Sequence, residues 1–155
     1  AVLLTSTRAP NGDIATVLQD QFARVGVQVE IRQLDARAVI QASTKGEYDL
    51  LLWRYDWNDA DVLNIYLGSD RIGRTNRVFY RNETVDDLLQ RAAREMDREE
   101  RVRLYVEAQK AILQDAPWQP LYIPLDFLAI RSRVQGVVLG PMGRVLLNDA
   151  RVVTQ

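Results

Sequence analysis

Asp49-Leu50-Leu51-Leu52-Trp53-Arg54-Tyr55-Asp56-Trp57-Asn58-Asp59-Ala60-Asp61 is the stretch whose reading decides the fold. Its first part, Leu50 to Trp53, has the length and apolarity of a central strand covered on both faces. The run then opens into three aromatics interleaved with three carboxylates, an arginine and an amide. In an open α/β sheet, ligands bind just past the carboxyl ends of such strands. Aromatic walls with a few placed charges suit a pocket for something small and partly charged. The competing reading is a strand end followed by a solvated acidic turn.

Upstream, Val2 to Thr5 reads as a short strand, and Arg8-Ala9-Pro10-Asn11-Gly12 as a loop with turn chemistry. Asp13 is placed to cap a helix with Ile14, Val17, Leu18, Phe22 and Val25 at helical spacing, stopped by Gly26. Val27, Val29 and Ile31 alternate with polar residues, the pattern of a strand with one wet face. Asp35 then caps a second helix carrying Ala38, Val39 and Ala42, ended by Lys45-Gly46. The first third is therefore strand–helix–strand–helix–strand, which implies parallel strands joined by crossovers.

Downstream, Gly68 to Arg81 is a polar loop of a length more often functional or mobile than idle. Two helices follow. Val85, Leu88, Leu89, Ala92, Ala93 and Met96 form the apolar stripe of the first. Asp97 and Glu100 have the spacing of a capping box opening the second, with a stripe of Val102, Tyr105, Ala108, Ile112 and Leu113. These stripes read as core. Ala116-Pro117 ends the second helix, and Gln119 to Pro124 and Phe127 to Arg131 read as extended. From Val134 on there are strand-like pieces with no evident element to pair with.

Composition narrows the function. The chain has 155 residues, enough for one domain with a real core, and a net charge of -1. The sequence pI is about 5.5, so no basic face is offered to nucleic acid. Arg91, Arg94, Arg98, Arg101 and Arg103 are interleaved with acids and read as a solvated helix face. There is no cysteine and no histidine, which excludes disulfides, Cys/His zinc sites and nucleophile–histidine catalysis. No cofactor and no metal are expected. Asp56 to Leu67 superficially follows a calcium loop, but Asp61 stands where glycine is needed and Leu67 where glutamate is needed. Asp56, Asp59 and Asp61 as a glycosidase pair fail because neighbours on one loop rarely face each other across a scissile bond. A receiver-like or flavodoxin-like domain would need an acidic pair or a phosphate loop after the first strand, where Thr5-Ser6-Thr7-Arg8 stands. The reading left is recognition: a carboxylate beside indole and phenol faces holds an ammonium group by charged hydrogen bonds and cation–π contact.

Several runs in a fixed order carry a resemblance. They include Gly26-Val27-Gln28-Val29-Glu30, Gly46-Glu47-Tyr48-Asp49-Leu50, Trp53 to Asp61, and Gly73-Arg74-Thr75-Asn76. Glu83 to Leu89, Asp97 to Arg101, Tyr105 to Lys110 and Ala116 to Tyr122 continue it. Together the chain resembles the C-terminal lobe of family 5 extracellular solute-binding proteins, the oligopeptide-, dipeptide- and nickel-binding receptors of ABC importers. The resemblance implies an α/β lobe with a mixed, mainly parallel sheet flanked by helices, one half of a clamshell. It divides the chain into a ligand-binding lobe, residues 1–133, and a tail, residues 134–155, that returns to an N-terminal lobe outside this sequence. It places Trp53 on the family's pocket-wall tryptophan and Asp56 on the aspartate that receives a peptide's α-amino group. Tyr55 and Trp57 become further walls, and Arg54, Asn58 and Asp59 polar or closing contacts. Two departures are Ala60 where many members have proline, and Leu50 where some carry an arginine. The expected partners are a peptide or other small solute, the permease subunits and the other lobe. The expected place is the periplasm or outer face of the cytoplasmic membrane, with the leader elsewhere in a longer protein. The alternative is an intracellular flavodoxin-like interaction or regulatory domain.

Overall fold

The computed structural model describes residues 1–153. Its chain divides into two compact units: Ala1–Tyr55 with Ala60–Trp118, and Asp56–Asp59 with the chain from Gln119 on.

The larger unit is built on three strands, β1 (Val2–Ser6), β2 (Glu30–Leu34) and β3 (Leu50–Leu52), in the order β2-β1-β3. Both pairings are parallel, with Leu3 opposite Ile31 on one side and Leu50 on the other. Successive side chains of a strand point to opposite faces, so Leu3 and Leu4 serve two different cores. On one face Leu3, Val29 and Leu52 pack with Ala15, Ile14, Leu18 and Phe22 of helix α1 (Asn11–Arg24). On the other, Leu4, Leu34, Leu51 and Trp53 pack with Val39 and Ala42 of helix α2 (Ala36–Lys45). Full burial of one such leucine contributes on the order of 1.5–3 kcal/mol.

The helix signals act with some displacement. Asp35 caps α2 as the sequence implies, its Oδ1 accepting from the Arg37 and Ala38 amides at 3.0 Å each. Gly46, at φ 74°, closes it. Asp13 is not the cap of α1, because Asn11-Gly12 is already helical; Asp13 lies in the first turn, where its charge suits the helix dipole. β2 begins three residues later than the Val27 alternation suggests. The Val27 amide is still bonded to Phe22 at 2.9 Å, and pairing starts where the Glu30 amide reaches the Ala1 carbonyl at 2.8 Å.

A helical layer completes this unit: α3 (Val62–Leu67), α4 (Glu83–Arg94) and α5 (Arg98–Asp115). Leu67, Val85, Leu89, Leu104, Ala108 and Ile112 are its buried centre. Asn82 caps α4 through the Thr84 and Val85 amides, and Asp97 caps α5 through the Glu100 amide at 2.8 Å. The Glu100 carboxylate turns instead to Arg103, at 2.8 Å and 2.5 Å. Met96, read from the sequence as part of the α4 stripe, is 93% exposed. The helix has ended at Arg94, and Glu95 is extended, so the 3.6-residue period no longer applies there. Val102 and Leu113 are exposed as well; the buried face of α5 is Leu104, Tyr105, Ala108 and Ile112.

In the second unit the strand-like pieces of the tail pair with one another, contrary to the expectation that they have no element to pair with. β4 (Val134–Gln135) runs antiparallel to β7 (Arg151–Val152), and β5 (Val138–Leu139) to β6 (Val145–Leu146), one ribbon nested inside the other. Gly136, at φ 76°, has no room for a Cβ, which would lie 1.9 Å from the Asp149 carbonyl. No described residue of this unit is buried; Ile123 and Phe127 are 92% and 90% exposed. Among the described residues no helix is long and apolar enough to cross a membrane.

Candidate functional site

The strand order fixes where a ligand site is expected. The chain goes from β1 through α1 to β2 on one side, then back through α2 to β3 on the other. The order therefore reverses between β1 and β3, and the crevice at their carboxyl ends is the switch point. These two ends are joined directly. The buried Thr5 hydroxyl donates to the Leu52 carbonyl at 3.0 Å, immediately before Trp53.

Trp53 lies on the α2 face, half-buried against the cluster of Leu4, Val39 and Ala42. Over its ring stands the Arg77 guanidinium, 6.0 Å from the centroid, near the outer limit of a cation–π contact. Arg54 is exposed. Tyr55 is engaged on both sides, its ring centroid 3.9 Å from that of Tyr66 and 5.8 Å from that of Trp118. Burial pushes the Tyr55 phenol up to about 12, against a smaller opposing pull from Arg77. Burial also raises Tyr48, again opposed by Arg77, so both phenols stay neutral at physiological pH. The Tyr48 hydroxyl donates to the Arg77 carbonyl.

The loop that carries Arg77 is fastened by the Thr75 hydroxyl on the Ile65 carbonyl, the Ser69 amide on Asp86 and, most extensively, by Asn76. Asn76 is fully buried, and its Nδ2 donates toward the Leu67, Gly68 and Tyr80 carbonyls at 3.1, 3.0 and 2.9 Å. Its Oδ1 accepts from the Tyr80 amide at 3.3 Å. The sequence-predicted loop Gly68–Arg81 is thus ordered, with Asn76 as its most connected side chain.

Asp56, Trp57, Asn58 and Asp59 fall in the second unit, and all four are exposed, Trp57 by 50%. Of the seven predicted site residues, then, Trp53, Arg54 and Tyr55 belong to one unit and the other four to the second. Sequence reasoning missed Tyr48, Tyr66, Arg77 and Trp118. Tyr48 and Trp118 stand in runs that carried the family resemblance, but nothing in the sequence pairs them with Trp53 or Tyr55. A depression of about 460 Å³ lies at the other strand boundary, lined by Thr7, Pro10, Asp13, Thr16, Ile31 and Gln33 among others. It is shallow and its walls are mostly exposed side chains, so it has little capacity to enclose a ligand. Among the described residues, no group of three or more acidic, Cys or His side chains is arranged to hold a metal ion.

No protein-family model matches the chain. The chain is 33% identical over 150 residues to the probable D,D-dipeptide-binding periplasmic protein DdpA of Escherichia coli K12, covering 94% of itself and 29% of that protein. A solved structure of the ABC transporter-associated periplasmic binding protein DppA from Helicobacter pylori, in complex with the peptide STSA, matches with TM-score 0.65 and 31% identity, over 75% of this chain and 24% of that one. The dipeptide-binding protein of Pseudoalteromonas sp. SM9913, in complex with Met-Leu, shares the fold over 97% of this chain and 32% of that one, with TM-score 0.80 and 24% identity. The α/β architecture is that of periplasmic peptide-binding proteins. The relatives it matches are peptide- and dipeptide-binding periplasmic proteins of the family 5 class of extracellular solute-binding proteins. The chain spans less than a third of the length of these relatives.

Proposed function

We propose that this chain is one lobe of a two-lobed receptor that captures a peptide-like solute outside the cytoplasmic membrane and hands it to the permease of an ABC importer. The observation that supports this reading is the place of Trp53 to Tyr55, immediately past β3 at the switch point of a parallel sheet, in a chain related to peptide-binding proteins. In this reading Asp56 is the charge anchor for the ligand's α-amino group. Trp53, Tyr55 and Trp57 are the walls. Arg54, Asn58 and Asp59 make polar contacts to the ligand or close against the other lobe. Hinge closure then buries the ligand between lobes. The protein binds and releases; it does no covalent chemistry. Residues 134–155 are the tail that meets the other lobe, which gives the apolar side chains left exposed on the ribbons a surface to cover.

The test is discrimination at the amine. One charge-assisted hydrogen bond contributes on the order of 1.5–3 kcal/mol, or about 10–150-fold in affinity. Titration calorimetry on the protein from the complete reading frame should show free-amine peptides binding more tightly than N-acetylated ones by a factor in that range. Asp56→Asn should remove most of the difference. An unchanged preference in the variant would take the anchor role from Asp56.

A further inference from the structure

The chain leaves the larger unit at Tyr55, which Asp56–Asp59 follow, and again at Trp118, which Gln119 follows. These two departure residues lie far apart in sequence, yet their rings pack together, with centroids 5.8 Å apart and planes at 47°. Tyr66, near the end of α3, also packs on the Tyr55 ring, at 3.9 Å and 35°. No hydrogen bond joins the Tyr55 or Tyr66 hydroxyl to another group among the described residues, so what unites the three is ring packing. Trp118 is fixed in turn by its own neighbours. It packs half-buried on the core of the helical layer. Two residues before it, Ala116 stands at φ 49°, a left-handed conformation that a non-glycine residue keeps only where its surroundings impose it.

We infer that Tyr66 and Trp118 are positioning residues of the ligand site: they hold Tyr55, and through Tyr55 the point from which the loop Asp56–Asp59 starts. A site carried on a loop is only as exact as the residues that lock its ends. Asp56 follows Tyr55 directly, so freedom at Tyr55 passes straight into the backbone that carries the Asp56 carboxylate. With the ring released, the binding-competent placement of Asp56 becomes one of several. The apparent affinity then falls by the fraction of molecules that still hold it. Each aromatic pair favours its own arrangement by about 2–12-fold, which sets the size of the effect. Tyr66 comes from α3 and Trp118 from just past α5, so the start of the loop is referred to the helical layer at two points.

The inference rests on the peptide-receptor reading, and the experiment separates the two. The protein from the complete reading frame is titrated with a randomised mixture of di- and tripeptides. Native mass spectrometry gives the mixture concentration at which half of the protein carries peptide. Trp118→Leu and Tyr66→Leu should each raise that midpoint about 2–12-fold. Trp118→Phe and Tyr66→Phe, which keep a ring, should stay close to wild type. A double-mutant cycle supplies the readout that a merely structural role would not move. In a Tyr55→Leu background, a further leucine at 118 or 66 should leave the midpoint where Tyr55→Leu alone puts it, because both residues act through Tyr55. Urea midpoints of the same variants behave differently: Trp118→Leu should lower them in both backgrounds, since Trp118 also packs on the helical core. If Trp118→Leu does not fold, the Tyr66→Leu cycle decides alone. If Tyr55→Leu binds no peptide, the contrast between the leucine and phenylalanine variants decides. Leucine variants that bind as wild type does, or that weaken binding equally with and without Tyr55, overturn the inference and leave the receptor reading standing. So do phenylalanine variants as weak as the leucine ones. Capture of no peptide by wild type removes the receptor reading and this inference with it.

Discussion

Asn76→Asp changes one group and almost no volume, yet the structure gives it a large cost. The Nδ2 it removes is the donor shared by the Leu67, Gly68 and Tyr80 carbonyls. The Gly68 carbonyl keeps a second partner, the Arg71 amide at 3.0 Å. The Leu67 and Tyr80 carbonyls have no second hydrogen-bond partner among the described residues, and each becomes an unmet acceptor at a cost of about 1–3 kcal/mol. The new oxygen also stands against those carbonyls in a position of 0% exposure. The sum is about 3–5 kcal/mol, a large share of the 5–15 kcal/mol typical of a domain. Urea unfolding followed by tryptophan fluorescence should show this as a lower midpoint with an unchanged slope. The introduced carboxyl should be held neutral by burial, with its folded pKa raised. Its penalty should therefore be smallest below about pH 4 and grow as pH rises through the unfolded value. A loss under about 1 kcal/mol at neutral pH would refute the claim that Asn76 is the hub of the loop.

Two further outcomes test the helical layer. Asp115 accepts from the Tyr80 hydroxyl at 2.6 Å and the Asn82 amide at 2.7 Å, and these bonds hold its carboxyl below the usual carboxylate range. A lowered folded pKa gives stability above the unfolded value that is lost as pH falls through the folded one. Wild type should therefore lose stability faster than Asp115→Asn below about pH 4, measured as the difference between their urea midpoints; parallel curves would count against the bond pair. Met96→Gln should change thermal stability by less than about 0.5 kcal/mol, because the side chain touches almost nothing; a larger loss would restore Met96 to the core.

Much of the larger unit was legible because its signals are local. The short strand read at Val2 to Thr5, the Asp35 cap and the Gly46 stop act within a few residues of themselves, and the structure keeps them. The run of leucines at 50–52 was readable as a doubly covered strand because both faces of β3 need apolar side chains. Helix α3 was missed: six residues long and without a side-chain cap bond, it carries no start signal. Asn76 was illegible for a different reason. Its acceptors come from residues 67, 68 and 80, which no local pattern ties to it. The ribbons of the tail are built from strands of two residues, too short for alternation to register. At the candidate site the aromatic and acidic residues of 53–59 were visible as composition. That Tyr55 stacks on Tyr66, and that Arg77 stands over Trp53, is tertiary information.

The account's central claim is that this chain is one lobe of a two-lobed receptor, and native mass spectrometry on the protein purified from the complete reading frame tests it most directly. The prediction is a polypeptide of the length of the related binding proteins, carrying the extra mass of a small peptide that departs on denaturation. A protein of 155 residues that carries no added mass, and takes up none from a peptide mixture, would contradict it.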